Sequence, residues 1–231
     1  MSVSKTKVVC ILNPQSCDGD SLRRWPEIER YFRELRIDFE LVSQDGDLSE
    51  TVFEILSRRN QEELLIAGVG GDGTHCALIN GMLRFKERNP GAVLPPYSVI
   101  PFGTGNNIAK SFGLNPKDGL LSSHLRRAAF GTVYGAEYRI DVGRLAGGRY
   151  FLDGFAVGVD AHILAGRNRD KDSFRKSLLF GLIRGYPVYF WNVLKSLGKC
   201  SPLRGEIEVD GEKFYSGDLF NIIVNNTRIY A

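Results

Sequence analysis

The sequence predicts an α/β domain with a parallel sheet over residues 1–130, followed by a mainly antiparallel β domain over 131–231. Three observations carry this. Strand-like and helix-like stretches alternate up to about Leu114, the pattern of a parallel sheet covered by helices on both faces. Two of those strands run into glycine-rich turns that open helices. From Gly131 onward the stretches are short and β-like, and Asp210-Gly211 between two alternating runs signals a hairpin.

In order, Lys7–Leu12 reads as the first strand, closed by Asn13-Pro14 because proline keeps the preceding residue out of the helical region. Trp25–Leu35 sets Ile28, Tyr31, Phe32 and Leu35 at amphipathic helix spacing. Asp38–Ser43 is a second strand and Leu48–Arg58 a second helix, with Val52, Ile55 and Leu56 inward. The apolar run Leu64-Leu65-Ile66-Ala67 is a buried strand that breaks into Gly68-Val69-Gly70-Gly71-Asp72-Gly73. Thr74 is expected to cap the next helix, along which Leu78, Met82 and Phe85 repeat. Asn89–Pro96, with its prolines, is a loop. Tyr97–Ile100 is a strand, and Ile108–Phe112 a short helix stopped by Gly113. Leu120–Phe130 is one further helix. The β-like stretches beyond it are Val133–Ile140, Asp141–Leu145, Tyr150–Phe155, Glu206–Val209, Lys213–Tyr215 and Leu219–Val224. Ser177–Leu197 is aromatic-rich and reads as a packed helix pair rather than a membrane-facing surface, and Arg167–Lys176 as a solvated helix face.

Composition narrows the partners. A 43% hydrophobic share of 231 residues suffices for a core, and no apolar run reaches the length of a membrane span. The N-terminus lacks the features of a signal peptide. Cys10, Cys17, Cys76 and Cys200 form no metal-like pairs; Cys10 and Cys76 read as buried thiols, and a reducing cytoplasm fits best. A net charge of +3 argues against a dedicated nucleic-acid binder and permits an anionic ligand or an anionic membrane surface.

The turn after the third strand suits an anion. Glycines let the backbone approach closely, and a helix N-terminus offers unpartnered N–H groups and a favourable dipole. Asp72 stands in the middle of it. A carboxylate there repels phosphate unless a metal ion or a transferable proton mediates, which points to chemistry on a metal–nucleotide complex. The plainer reading is a tight turn with Asp72 helping to cap the helix. The second turn, Pro101-Phe102-Gly103-Thr104-Gly105-Asn106-Asn107, shifts the balance, because two such loops on neighbouring parallel strands share the sheet edge where α/β folds bind ligands.

Gly70-Gly71-Asp72-Gly73-Thr74 followed by Pro101-Phe102-Gly103-Thr104-Gly105-Asn106 resembles the diacylglycerol kinase catalytic-domain family, which includes bacterial diacylglycerol kinases, YegS-like lipid kinases and sphingosine kinase relatives. The first motif alone is shared with NAD kinases. The resemblance implies an NAD kinase/diacylglycerol kinase-like fold, ATP and Mg2+ as cofactors, and transfer of the γ-phosphate to a diacylglycerol- or sphingoid-type lipid hydroxyl. It implies phosphate binding by Gly70, Gly71, Gly73 and Thr74, an opposite wall from Thr104, Gly105 and Asn106, and Asn13 at the edge. Asp72 is implied as base or metal organiser; metal ligands are left unassigned. Phe151–Ala161 resembles a third signature through Gly158, Asp160 and Ala161, which puts Asp160 on the substrate side, although an aspartate capping the helix at Ala161 reads as well. Two positions depart from the pattern: Asn107, where the family has aspartate, and Asp153, where it has asparagine. The family continues beyond Asn225-Asn226-Thr227 with further strands and an acidic motif, so the second domain reads as partial. The expected partners are a lipid substrate, a membrane touched peripherally and transiently at its inner surface, and no nucleic acid; a homodimer is compatible. The rival readings are an NAD kinase-like enzyme and a nucleotide-binding regulatory module that has lost catalysis.

Overall fold

The structure, a computed structural model, describes residues 6–103, 105–114, 121–163, 165–166 and 201–228. The chain divides into two compact units, Met1–Asp153 with Asn225–Ala231, and Gly154–Val224.

The first unit is organised on four parallel strands: β1 (Lys7–Leu12), β2 (Phe39–Ser43), β3 (Leu64–Gly70) and β4 (Tyr97–Pro101), in the order β2-β1-β3-β4. The central strands β1 and β3 are buried almost throughout, because helices cover both faces. The helices are α1 (Ser21–Glu34), α2 (Leu48–Arg58), α3 (Asp72–Arg88), α4 (Asn107–Ser111) and α5 (Leu121–Tyr134). Alternate residues of β1 serve opposite cores. Val8, Cys10 and Leu12 pack with Trp25, Ile28, Phe32 and Leu125 on one face. Val9 and Ile11 pack with Val52, Leu56, Leu78 and Met82 on the other. Cys10 is fully buried, and burial pushes its thiol far above the ordinary range; Cys76 is half-buried.

Several expectations shift. The first helix starts at Ser21 and carries Pro26 within it, where the missing N–H leaves the Leu22 carbonyl without its helical donor and the packing of Trp25, Ile28 and Phe32 outweighs that cost. The third strand continues through Gly68-Val69-Gly70, its ladder to β1 and β4 outweighing the low strand preference of glycine. The next helix begins at Asp72 with Gly71, not Thr74, as its cap residue. The fifth helix runs on to Tyr134, so the β-like pattern of Val133–Ile140 is overridden: its start completes a helix, and the rest is irregular.

Two short strands, β5 (Gly143–Arg144) and β6 (Tyr150–Phe151), pair antiparallel within the first unit. They are tied to α3 through Asn80, whose Oδ1 accepts the Tyr150 N–H at 2.8 Å while Nδ2 donates to the Tyr150 carbonyl at 2.8 Å. In the second unit β7 (Gly154–Gly158) pairs with β10 (Asn221–Asn225), and β8 (Leu203–Val209) pairs antiparallel with β9 (Glu212–Leu219). Asp210 and Gly211 join β8 to β9 with φ of 54° and 83°, the left-handed pair that a two-residue hairpin turn requires. Parallel strands in the first unit and the antiparallel pair in the second match the predicted fold class. Arg167–Lys176 and Ser177–Leu197 lie outside the described residues, as does Cys200. No helix among the described residues is long and apolar enough to cross a membrane.

Candidate functional site

Strand order places the site. β1 and β3 are neighbours whose outgoing connections run to opposite sides of the sheet, which opens a crevice at their carboxyl ends. Asn13 leaves β1 there, Gly71 leaves β3, and Phe102 leaves β4. Backbone bonds fasten these exits together: Asn13 N–H donates to the Val69 carbonyl at 3.2 Å, and Phe102 N–H to the Gly70 carbonyl at 2.7 Å.

The first turn is held by side chains from two directions. Asn13 Nδ2 donates to Thr74 Oγ1 at 3.0 Å, and the Ser16 hydroxyl lies 3.2 Å from the same oxygen. Thr74 is 4% exposed, and its N–H donates to the Gly71 carbonyl at 2.9 Å. Its role in the geometry is thus to bind the β1 loop to the glycine turn. Gly70, Gly71 and Gly73 leave the backbone bare, and α3, 17 residues long, directs its first amides and the positive end of its dipole into this corner.

The second turn is closed by Asn106, which sits at φ 54° and ψ 40° and is 5% exposed. Its Oδ1 accepts the Gly103 N–H at 2.8 Å and its Nδ2 donates to the Gly103 carbonyl at 2.7 Å. The two turns meet at Gly71 and Gly103: a Cβ on Gly71 would lie 3.1 Å from the Gly103 Cα, and one on Gly103 would run into the Gly71 backbone. Asp72 joins the turns a second time. Its Oδ1 accepts the Ile108 N–H at 3.1 Å, which caps α4 rather than its own helix, and its Oδ2 lies over Gly105, where a Cβ would stand 3.0 Å away. Thr104 lies outside the described residues.

Two features of this corner escape sequence reasoning. His75 is 1% exposed, and its Nδ1 lies 2.7 Å from the Tyr97 hydroxyl with the rings edge to face. Burial pushes its pKa down to about 4, against a partial upward pull from Asp72 and a backbone contact with Gly70. The imidazole is therefore neutral at pH 7. Its only sequence signal is its place in the first turn of α3, three residues after Asp72. Asp153 is the second: its Oδ2 accepts from Asn107 Nδ2 at 3.4 Å and its Oδ1 from the Thr227 hydroxyl. No sequence spacing links residues 107, 153 and 227.

Asn13, Gly70, Gly71, Gly73, Thr74, Gly105, Asn106 and Asp72 thus gather at one sheet edge. Asp160 belongs to the second unit, where Asn221 clasps it: Asn221 Nδ2 donates to Asp160 Oδ2 at 2.9 Å, and the Asp160 N–H donates to Asn221 Oδ1 at 3.2 Å. The chain is already helical at 159, so Asp160 is inside the first turn rather than its cap. Among the described residues no three His, Cys, Asp or Glu side chains group as a metal site.

A family model for the diacylglycerol kinase catalytic domain matches residues 7–142. The chain is 30% identical over 169 residues to a diacylglycerol kinase of Bacillus subtilis (strain 168), an overlap of 71% of this chain and 46% of that protein. It is 27% identical over 219 residues to a Salmonella schwarzengrund (strain CVM19633) protein named "Probable lipid kinase YegS", covering 94% of this chain and 64% of the other. A solved diacylglycerol kinase structure from Bacillus anthracis str. Sterne matches with a TM-score of 0.60 at 22% identity, over 96% of this chain and 65% of that one, a likeness of fold. The chain thus spans about half to two thirds of the length of the curated relatives it matches. With more than half of its residues inside the matched catalytic region, the chain belongs to the diacylglycerol kinase catalytic domain family.

Proposed function

We propose that the chain acts as an ATP-dependent lipid kinase, passing the γ-phosphate to a diacylglycerol- or sphingoid-type hydroxyl. Residues 1–130 form the nucleotide-binding part and 131–231 the lipid-facing part, and the protein works in the cytoplasm with transient contact at the inner membrane surface. The observation that carries this is the crossing at Asp72: one carboxylate at an anion-binding helix N-terminus also caps the helix of the facing loop.

Gly70, Gly71 and Gly73 expose backbone to the phosphates, with Gly105 on the facing side. Asn13, Thr74 and Asn106 hold the two turns in place through the bonds described above. Asp72 accepts the proton of the attacking lipid hydroxyl or orders the metal beside it. Asp160 serves the lipid side. Mg2+ fits the donors present: Asn107 Oδ1 is buried without a hydrogen-bond partner among the described residues and lies on the Gly105 side, where Asp72 Oδ2 also faces. Hard cations take such oxygens, and Mg2+ is often held by one or two of them together with substrate phosphates. Once bound, the ion would neutralise charge on the transferring phosphoryl group. Asp72 and Asn107 are the residues that would hold it.

The test is incubation of the purified chain with γ-labelled ATP and Mg2+, together with diacylglycerol, a sphingoid base or NAD. Label in a lipid supports the proposal. Label in NAD overturns it in favour of the NAD kinase-like reading, and nucleotide binding with no transfer to any acceptor overturns it in favour of a regulatory module.

A further inference from the structure

Asp153 is the last residue of the first unit before the chain enters β7, and its position is fixed with unusual care. Its carbonyl accepts the N–H groups of Asn226 at 2.7 Å and Thr227 at 3.3 Å. Asn226 is fixed in turn, its Nδ2 donating to the carbonyls of Asp141 at 2.7 Å and Leu152 at 3.0 Å. The carboxylate then takes the Thr227 hydroxyl on Oδ1 and Asn107 Nδ2 on Oδ2. Among the described residues, neither Asp153 nor Asp72 forms a salt bridge.

An ionised carboxylate offers only acceptors, so an amide beside it must turn its NH2 toward it. Asn107 therefore directs its Oδ1 away from Asp153. That oxygen is buried, has no donor among the described residues and lies 3.8 Å from the place a Cβ on Gly105 would occupy. Asp72 Oδ2 lies 3.0 Å from the same point. Acceptor oxygens on one side of Gly105 that pair with no positive side chain among the described residues are costly unless a cation arrives. The amide at 107 and the carboxylate at 153 meet in this one hydrogen bond, at 3.4 Å.

We propose that Asp153 is a positioning residue for the divalent cation that accompanies the nucleotide, holding the Asn107 amide so that Oδ1 faces the same space as the Asp72 carboxylate. This rests on the kinase reading above. The Asn226–Thr227 turn supports Asp153, and so indirectly the cation. Second supports of metal ligands commonly change affinity by about 10- to 100-fold when removed.

The test uses Mn2+ as the probe, titrated by electron paramagnetic resonance into the full chain with a non-hydrolysable ATP analogue. Asp153→Asn frees the Asn107 amide to flip, and Asn107→Asp sets two carboxylates against each other; each is expected to weaken Mn2+ binding by about tenfold or more. The double variant Asn107→Asp/Asp153→Asn restores one amide facing one carboxylate and is expected to return to within about threefold of the wild type. Loss from a merely structural change would not be repaired by that exchange. Thr227→Val keeps both carboxylates and removes one support, and a fall in Mn2+ affinity there carries the same conclusion should Asp153→Asn not fold. Wild-type Mn2+ affinity in Asp153→Asn, or a double variant no better than the single ones, overturns the inference while lipid phosphorylation by the wild type leaves the kinase reading standing. A wild-type chain that binds no Mn2+ with the analogue overturns both.

Discussion

The Asp72 carboxylate accepts the Ile108 N–H at 3.1 Å, so the acid of the first glycine turn caps the helix of the second. This separates its structural role from the chemical one proposed for it. Asp72→Asn keeps an oxygen that can accept from Ile108 and is expected to melt within about 1 kcal/mol of the wild type. Phosphoryl transfer in that variant should fall by about a hundredfold or more, the usual contribution of a positioned base. Circular dichroism melting and a lipid phosphorylation assay check the two halves. A variant that retains activity would remove Asp72 from the mechanism.

Gly103 faces Gly71 with no room between them for a methyl group. Gly103→Ala must push the turns apart, because the obstacle is backbone rather than a flexible side chain. Overpacking of this kind costs about 1–3 kcal/mol. Nucleotide affinity should drop along with stability, measured by calorimetric titration of an ATP analogue. Gly73→Ala, where the added carbon would meet nothing within 4 Å, is the control for stability.

His75 gives the fold a pH dependence of known sign. Burial holds its folded pKa near 4, below the unfolded value near 6.5. Between these values the unfolded chain binds a proton that the folded chain does not, so stability falls as pH drops from 6.5 toward 4. The loss is up to about 3 kcal/mol at the lower end. His75→Gln should flatten melting temperatures across that window relative to the wild type. An unchanged pH profile would show that another group governs it.

Glu40 joins the start of β1 to the end of α2. It accepts a two-pronged bond from Arg59, at 3.0 and 2.8 Å, and pairs with Lys7 at 3.0 Å. Arg59 first and Lys7 second hold its pKa down to about 2 from an ordinary 4.5. A depressed acid stabilises the fold above its unfolded pKa, and this is lost as pH falls from 4.5 toward 2. The pair is about one-third exposed, so solvent screening limits the effect to about 1 kcal/mol. Glu40→Gln should therefore lower stability at pH 7 by about that amount, and the difference should vanish near pH 2 and shrink in high salt.

Much of the first unit was legible because each of its elements carries a periodic signal. Lys7–Leu12 and Leu48–Arg58 appear at the expected bounds, and the two glycine turns lie at the ends of adjacent parallel strands. Tertiary bonding moved other boundaries. Strand-like Val133 ends in a helix because Ala128, Ala129 and Thr132 of the same helix are buried. Thr74 looked like a cap, but its hydroxyl is taken by Asn13 and Ser16, which local sequence cannot reveal. The Asp153–Asn107–Thr227 cluster was illegible for the same reason, since its members lie 46 and 74 positions apart.

The main-chain bond from Asn226 to Asp153 brings together the points where the chain departs from the first unit and rejoins it. Residues 154–224 are thus strung between two adjoining posts, like a cassette with its ends clamped side by side. A change of length within that stretch therefore leaves the spacing of Asp153 and Asn226 as it is, because both posts belong to the first unit.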